Sequence, residues 1–146
     1  RDDGIEAHAV ANLADAVGRA DVISCATISR EPLVHGAWLR EGTHLDLVGA
    51  YQPDMREADD LAVARSRIVV DTYAGALAEA GDLVQPIERG VIPRERVVAE
   101  LAQLLRGEVA GRTSAAEITL FNSVGAAVED LAAALVVVAA AATTAP

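Results

Sequence analysis

The chain has 146 residues, of which 52% are hydrophobic, and its formal net charge is -10. This length and hydrophobicity predict one folded domain with its own core and argue against a disordered chain. The 22 acidic side chains outnumber the 12 basic ones and repel phosphate backbones, so nucleic acid is excluded as a favoured partner.

Short strand-like runs alternate with helix-like runs in the first half of the chain, a pattern typical of a parallel sheet covered by helices. The predicted strands are Glu6–Val10, Ala20–Thr27, Gly42–Gly49 and Arg67–Thr72. The predicted helices are a first one capped by Asn12 and extending through Arg19, a second at Met55–Ser66 and a third at Ala74–Ala80. Gly81 follows the third helix and is predicted to be its left-handed terminus.

The pattern changes beyond Asp82. Residues 85–93 contain two prolines and a glycine, which predict a loop or a broken strand. Pro93 fits a first helical turn, and the apolar residues at positions 97, 98, 101, 104 and 105 predict an amphipathic helix after it. Ser114 and Glu117 have capping-box spacing, although the neighbouring ITLF fits a strand equally well.

The last segment, from Asn122 onward, predicts a long Ala-rich helix. It is apolar nearly all round, so it needs a partner on most sides. Its longest apolar run, Leu131–Ala142, has 12 residues, too few to cross a hydrocarbon core of roughly 30 Å. No membrane partner and a cytoplasmic location are therefore expected.

Two strand ends have the features of a ligand site, because ligands of open parallel sheets bind outside the carboxyl ends of the strands. The sequence CATISREP follows one strand and VGAYQPDMRE follows the next. Small residues at Ala26, Gly49 and Ala50 would let a flat cofactor lie against the backbone, while Thr27 and Ser29 offer hydroxyl groups. Ordinary strand-to-helix turns are the alternative interpretation.

Other chemically active residues have weaker patterns. His8, His35 and His44 fall on three different predicted elements, so no metal site is predicted. Ser123 has no G-x-S-x-G around it, which favours a hydroxyl at the start of the last helix that caps the helix or touches a ligand. The phosphate-cradling G-x-G-x-x-G fingerprint does not occur in the sequence.

Two residues inside predicted strands, Cys25 and Asp46, carry side chains that could be chemically active. Cys25 lies in an apolar strand, where a thiol is usually an unreactive core residue. Asp46 either lies on an exposed face of its strand or serves the site, and the sequence does not separate these alternatives.

Four blocks of the chain resemble the ornithine cyclodeaminase and mu-crystallin family of NAD(P)-dependent enzymes. They are ADVISCATISREPLVHGAWLREGTHLDLVGAYQPDMREADD, RIVVDT, ALAEAGDL and RTSAAEITLFNSVGAAVEDLAAA. The resemblance implies an α/β fold, the C-terminal part of a Rossmann-type parallel sheet with flanking helices plus a long C-terminal helix. It implies a fragment that starts after the second Rossmann strand, with the glycine fingerprint upstream of Arg1.

The resemblance also implies two domain assignments. Residues 1–117 would be a partial NAD(P)-binding domain that lacks its first strands. Residues 118–146 would be a C-terminal segment whose helix packs on an N-terminal domain for dimerisation and substrate binding. The intact protein is accordingly expected to be a homodimer, and the fragment alone to be inactive.

In this family the loop after the strand ending at Gly49 passes beside the nicotinamide and the substrate. Cyclodeaminases carry G-G-D-x-P-G-K there, with the Asp as a catalytic acid or base, whereas Tyr51 occupies that position here. A phenol with a pKa of about 10 is a poor proton shuttle at neutral pH.

The resemblance therefore favours NAD(P)H-dependent reduction of cyclic ketimines, such as 1-pyrroline-2-carboxylate or 1-piperideine-2-carboxylate, to cyclic amino acids. Ornithine cyclodeamination to proline and ammonia, and a non-catalytic small-molecule binder like mu-crystallin, are the alternatives. Tyr51 is expected in the substrate cleft, and no catalytic residue is assigned. The expected cofactor-binding residues are Ala26, Thr27, Gly49, Ala50, Ser123 and Val124.

Overall fold

A parallel five-stranded sheet forms the centre of the structure. The computed structural model describes residues 4 and 6–144. The strand order is β1-β2-β5-β3-β4, with every neighbouring pair parallel. The strands are β1 Val22–Cys25, β2 His44–Leu47, β3 Ser66–Val70, β4 Val97–Glu100 and β5 Ile118–Asn122.

Six α-helices accompany the sheet within the described residues. They are α1 Leu13–Val17, α2 Asp60–Arg65, α3 Tyr73–Glu79, α4 Gly81–Glu88, α5 Leu101–Leu105 and α6 Ala127–Thr144, with short 3-10 helices at Gly36–Trp38 and Arg94–Arg96. The side chains of Asn12, Asp59 and Thr72 accept hydrogen bonds from main-chain N–H groups in the first turns of α1, α2 and α3. A parallel sheet with flanking helices and a long last helix confirms the predicted α/β class.

The strands run in register, so their carboxyl ends meet along one side of the sheet. Cys25 pairs with Leu47, and Asn122 pairs with both Leu47 and Val70. The segments that follow β1, β2, β3 and β5 therefore leave the sheet side by side. We call this side the carboxyl edge.

The two faces of the sheet differ in burial because side chains alternate along each strand. Leu45, Ile68 and Leu120 are fully buried on one face, where they join a core that includes Val63 of α2 and Leu83 of α4. Burial of one such side chain stabilises the fold by about 1.5–3 kcal/mol. The opposite face, which carries residues such as His44, Asp46, Thr119 and Phe121, is only half-buried.

The strand predicted at Glu6–Val10 is wrong. These residues have no regular secondary structure, and all five are exposed. A strand needs a neighbour for its main-chain N–H and C=O groups, and no described strand pairs with this segment. Its short alternation of polar and apolar residues is therefore not sufficient to form one.

The second predicted helix is shorter than its sequence pattern. It was expected at Met55–Ser66, but α2 begins after Asp59, whose carboxylate accepts hydrogen bonds from Ala62 N at 2.8 Å and Gly36 N at 2.8 Å. Ser66 already belongs to β3. The cap sets the start of the helix, and residues 55–58 form a buried loop instead.

The loop predicted at residues 85–93 is wrong in its first part, because α4 continues through Pro86 to Glu88. Pro86 cannot donate a hydrogen bond within the helix, yet the side chain is buried with Leu83. The Gln85 side chain also donates to Pro53 O at 2.8 Å. Packing on the core therefore outweighs the local preference, and the chain leaves the helix before Gly90, whose φ is 70°.

The amphipathic helix predicted after Pro93 is also wrong in its first half. Val97 and Ala99 are buried and alternate with half-buried neighbours in β4, which pairs with β3. Over so short a window the same apolar positions fit the helical period and the strand period equally well. The edge of β3 that is not paired with β5 can accept a further strand, and this favours β4. Within the predicted helix only Leu101–Leu105 is α-helical, with Glu100 and Gln103 forming a reciprocal capping box, and Arg94–Arg96 is a short 3-10 helix.

The alternative left open at residues 114–121 is decided for the strand. Ile118–Asn122 is β5, and the Glu117 carboxylate accepts a hydrogen bond from Thr113 N at 2.7 Å. This strand lies between β2 and β3. The sheet therefore includes residues 118–122, which the sequence analysis had grouped with the C-terminal segment.

The last helix, α6, has many exposed apolar side chains. Six of them are between 59% and 70% exposed: Val128, Leu131, Leu135, Val136, Val137 and Val138. Among the residues that the structure describes, none forms a helix with the length and apolar character needed to cross a membrane.

Gly81 is not the left-handed terminus that the sequence predicted. Its φ is not positive, and it is the first residue of α4. A Cβ at this position would lie 2.0 Å from Met55 O and 2.7 Å from Gln52 O. Glycine is needed here because two main-chain segments approach closely.

We predict that Gly81→Ala destabilises the fold more than Gly90→Ala does. The first change forces backbone atoms apart, with an expected loss of about 3 kcal/mol or more in the free energy of unfolding. The second meets no atom within 4 Å and costs only the strain of a positive φ, about 1–2 kcal/mol. Urea unfolding of both variants measures this difference, and equal losses would contradict the close-approach explanation.

Candidate functional site

The structure brings the predicted site segments together at the carboxyl edge. Ala26 and Thr27 follow β1, the Gly49–Tyr51 segment follows β2, and Ser123 and Val124 follow β5. The requirement that the segments after β1 and β2 lie at the same end of the sheet is met, because Cys25 pairs with Leu47. Their role in binding a ligand stays a prediction.

The turns after β1 and β2 contact each other through their backbones. A Cβ on Gly49 would lie 1.9 Å from Thr27 O and 2.3 Å from Thr27 N. No side chain fits between these turns, so residue 49 must be glycine. The two segments form one continuous surface and are not independent loops.

The buried carboxylate of Glu57 links these two turns. Its Oε1 accepts hydrogen bonds from Thr27 N at 2.6 Å and from Thr27 Oγ1 at 2.8 Å, and its Oε2 accepts from Gly49 N at 2.8 Å. The side chain is fully buried. Glu57 was not predicted as a site residue, because a Glu in an acidic run is usually solvated.

A second buried carboxylate, Asp82 of α4, binds the main chain at Glu57. Its Oδ1 accepts hydrogen bonds from Glu57 N and Ala58 N, both at 2.9 Å, and lies 3.6 Å from Arg56 Nε. Its Oδ2 has no hydrogen-bond partner among the described residues. Burial raises the pKa of Asp82 to about 6, although the two main-chain donors and Arg56 act in the opposite direction.

A third buried carboxylate, Asp71 at the end of β3, holds the segment after β5. Its Oδ2 accepts hydrogen bonds from Ser123 Oγ, Val124 N and Gly125 N, each at 2.9 Å. Ser123 is therefore not at the start of the last helix, which begins at Ala127. The Ser123 hydroxyl hydrogen is used within the protein and stabilises this segment.

The predicted site residues differ in how far a ligand could reach them. Gly49, Ala50 and Ser123 are buried, Thr27 and Val124 are half-buried, and Ala26 is exposed. Tyr51 is 45% exposed. Contact with a ligand is thus open to the side chains of Ala26, Thr27, Tyr51 and Val124, while the buried residues shape the surface beneath them.

Asn122, the last residue of β5, was not predicted as a site residue. It is 1% exposed, and neither its Oδ1 nor its Nδ2 has a hydrogen-bond partner among the described residues. A buried amide in this state is costly, by about 1–3 kcal/mol. Its place between the ends of β2 and β3 makes the centre of the carboxyl edge polar.

The structure decides the interpretations of Asp46 and Cys25. Asp46 lies on the half-buried face, where its Oδ2 accepts a hydrogen bond from Ser24 Oγ at 2.7 Å. Cys25 is buried, and its burial, with a smaller contribution from Glu57, raises the pKa of the thiol to about 11. The thiol is therefore protonated at neutral pH, as expected of an unreactive core residue.

A separate cavity of about 290 Å³ lies on the half-buried face of the sheet. None of the predicted site residues lines it. Ligands of parallel sheets bind at the carboxyl ends of the strands, which favours the carboxyl edge over this cavity. The cavity is lined by His44, Arg67, Val69, Leu101, Leu104, Gly111, Arg112, Thr119, Leu120 and Phe121.

Within residues 4 and 6–144, no three His, Cys, Asp or Glu side chains are grouped so as to hold a metal ion.

Known proteins are similar to this chain over most of its length. The model of the ornithine cyclodeaminase/mu-crystallin family matches residues 1–144. The Delta(1)-pyrroline-2-carboxylate reductase of Paracoccus denitrificans is 47% identical over 131 residues, which cover 88% of this chain and 42% of that protein.

Two solved structures have the same arrangement of elements. The Delta(1)-pyrroline-2-carboxylate reductase of Thermococcus litoralis, in complex with NADH and L-proline, superposes with a TM-score of 0.78 at 45% identity and covers 80% of this chain and 36% of its own. An archaeal alanine dehydrogenase dimer with bound NAD superposes with a TM-score of 0.84 at 38% identity, covering 93% and 42%. The chain thus spans well under half the length of these relatives.

We predict that the Asp82 carboxyl makes the stability of the fold decrease as the pH rises. Its pKa of about 6 in the folded chain exceeds the value of about 4 expected on unfolding. Between these values the folded state binds more protons than the unfolded state, so the free energy of unfolding falls with increasing pH. Asp82→Asn removes this titration and keeps the Oδ1 acceptor.

Urea unfolding of the two chains at pH 4 and pH 7 tests this. Between pH 4 and pH 7 the free energy of unfolding of the unsubstituted chain should fall by about 2 kcal/mol relative to that of Asp82→Asn. The same comparison with Glu79→Gln, at an exposed position, should change by only a few tenths of a kcal/mol, roughly the range of surface substitutions. A pH-independent difference for Asp82→Asn would contradict the raised pKa.

Proposed function

Because this chain belongs to the ornithine cyclodeaminase/mu-crystallin family, we propose that the intact protein reduces a cyclic ketimine with NAD(P)H. The substrate class is 1-pyrroline-2-carboxylate or 1-piperideine-2-carboxylate, and the products are cyclic amino acids. The 47% identity to a Delta(1)-pyrroline-2-carboxylate reductase supports this substrate class.

One observation at the carboxyl edge carries the choice of reaction. The exposed side chain that follows Gly49 and Ala50 is the phenol of Tyr51. The carboxylates of Glu57 and Asp71, which hold the segments after β1, β2 and β5, are buried and accept hydrogen bonds from main-chain N–H groups. Neither is free to act as a proton shuttle, which disfavours a cyclodeaminase mechanism that depends on a carboxylate in the Tyr51 position.

The residues at the carboxyl edge fit the nicotinamide end of the cofactor. The close contact of the Gly49 and Thr27 backbones and the small side chains of Ala26 and Ala50 provide a flat surface for a ring. Thr27 and Val124 would flank it, and Tyr51 would border the substrate. When bound, NAD(P)H supplies the hydride for the C=N carbon, so the chain needs no nucleophile, and its residues orient the reactants and exclude water.

The rest of the proposal concerns the intact protein. Residues 1–117 form part of its NAD(P)-binding domain, and α6 packs on an N-terminal domain that these residues do not include. The exposed Val and Leu side chains of α6 support this, since a solvated helix rarely carries so many. We further propose that the intact protein is a cytoplasmic homodimer.

The test is an assay of the purified intact protein with 1-pyrroline-2-carboxylate and NADPH or NADH. Loss of the reduced-nicotinamide absorbance with formation of proline is the expected result. Release of ammonia from ornithine in the presence of NAD would instead indicate a cyclodeaminase. Binding of the imino acid without turnover would indicate a binding protein.

We predict that Tyr51→Phe in the intact enzyme retains most of the reductase rate. The variant keeps the aromatic ring that borders the substrate and loses only the hydroxyl group. The reductase kcat measures this, with the unsubstituted enzyme as reference. A loss of a thousandfold or more, about 4 kcal/mol at the barrier, would make the phenol a catalytic acid.

We also predict that the 146-residue chain alone binds NADPH weakly or not at all and tends to self-associate. The G-x-G-x-x-G turn that holds a pyrophosphate does not occur in its sequence. The exposed apolar side chains of α6 favour association. Isothermal titration with NADPH, combined with light scattering, tests both statements; stoichiometric tight binding by a monomer would contradict them.

A further inference from the structure

Glu57 is a fully buried carboxylate that takes part in no ion pair among the described residues. Its two oxygens instead accept three hydrogen bonds, from the main chain and hydroxyl of Thr27 and from the main chain of Gly49. A buried polar group is costly unless it is hydrogen-bonded. An apolar side chain at position 57 would leave the Thr27 and Gly49 N–H groups without their acceptor, so the carboxylate is what joins these two turns.

The main chain of Glu57 is itself fixed on both sides. Its N–H donates to Asp82 Oδ1 at 2.9 Å, and its carbonyl oxygen accepts hydrogen bonds from Leu33 N and Val34 N, each at 2.9 Å. Neighbouring Arg56 is buried and donates to Ala58 O at 2.7 Å. Glu57 therefore has a defined position relative to α4 and to the segment after β1. Its hydrogen bonds to Thr27 and Gly49 hold the turns after β1 and β2 in place relative to that position.

The three donors need an acceptor oxygen at both positions of the Glu57 carboxyl group. Thr27 N and Thr27 Oγ1 donate to Oε1, and Gly49 N donates to Oε2. A Gln of the same shape could accept from Thr27 through its oxygen. Its NH2 group would then face Gly49 N–H, where two donors repel and the Gly49 turn has to move.

We propose that Glu57 is a positioning residue of the reductase cleft. It sets the distance between the Thr27 turn and the Gly49 turn, and thereby the placement of the nicotinamide relative to the imine carbon, without touching either. The inference rests on the proposed reductase function. In this inference Glu57 affects hydride transfer indirectly, through the two turns, and does not contact the ligand.

The experiment compares Glu57→Gln with Glu79→Gln in the intact enzyme. Glu79 is exposed at the end of α3, so its variant makes the same chemical change away from the site. We expect the kcat of Glu57→Gln to fall by about a hundredfold, the effect of a misplacement of about 1 Å, at a temperature where circular dichroism shows both variants folded. The kcat of Glu79→Gln should stay within twofold of the unsubstituted enzyme.

A primary isotope effect with cofactor deuterated at the transferred position separates positioning from a loss of folded protein. It should increase in Glu57→Gln, because hydride transfer becomes the slow step, whereas a smaller folded fraction would leave it unchanged. If Glu57→Gln does not fold, the pair Thr27→Val and Thr27→Ser tests the same bond. Loss of the hydroxyl in Thr27→Val should lower kcat about tenfold, and Thr27→Ser should restore it.

Two negative results are distinguishable. A folded Glu57→Gln enzyme with kcat and isotope effect equal to those of Glu79→Gln overturns the positioning role and leaves the reductase function intact. So does equal activity of Thr27→Val and Thr27→Ser. An unsubstituted enzyme that does not oxidise NAD(P)H with the imino acid overturns the proposed function and this inference with it.

Discussion

Main-chain N–H groups just beyond the strand ends need hydrogen-bond acceptors, and buried carboxylates supply them. Glu57 accepts from Thr27 and Gly49, Asp82 accepts from the main chain of residues 57 and 58, and Asp71 accepts from the main chain of residues 124 and 125. Each carboxylate joins a segment that follows one strand to another element. The shape of the carboxyl edge thus depends on three acidic side chains that are largely hidden from solvent.

This use of carboxylates limits the chemistry of the edge. A general acid or base must reach its substrate, and the three carboxylates are buried away from the surface of the edge. Among the predicted site residues, the side chains that a ligand could reach are two small ones, Ala26 and Val124, the hydroxyl of Thr27 and the phenol of Tyr51. Such a surface suits binding and orientation of two reactants, with the reactivity provided by a cofactor.

The strands that determine the position of the site could be predicted because they are continuous apolar runs that end in glycine or small polar residues. β1, β2 and β3 were found in this way, and the rule that ligands lie beyond strand ends led to Thr27 and Gly49. β4 was missed because Val97 and Val98 fit a helical period as well as a strand. The helix at Pro86 was missed for a different reason, since Pro86 is buried within α4 although proline locally disfavours a helix interior.

The buried carboxylates could not be predicted from sequence. Glu57 lies in a run with Asp54, Asp59 and Asp60, and the usual interpretation of such a run is a solvated surface. Its partners are 30 and 8 residues away, so only the folded arrangement reveals that it faces inward. Asp71 lies within the strand predicted at Arg67–Thr72, but its role depends on β5 lying beside β3, which no local pattern specifies.

The buried acidic side chains also limit which part of a dinucleotide these residues can hold. Glu57, Asp71 and Asp82 place negative charge beneath the carboxyl edge, and the whole chain has a net charge of -10, so the edge is a poor place for a pyrophosphate. A helix N-terminus with a glycine-rich turn is the usual site for that group. Among the described strands β1 pairs with β2 alone, which leaves its other side open to such a unit. Binding of phosphate and placement of the reactive ring are therefore expected to reside in different parts of the intact sheet.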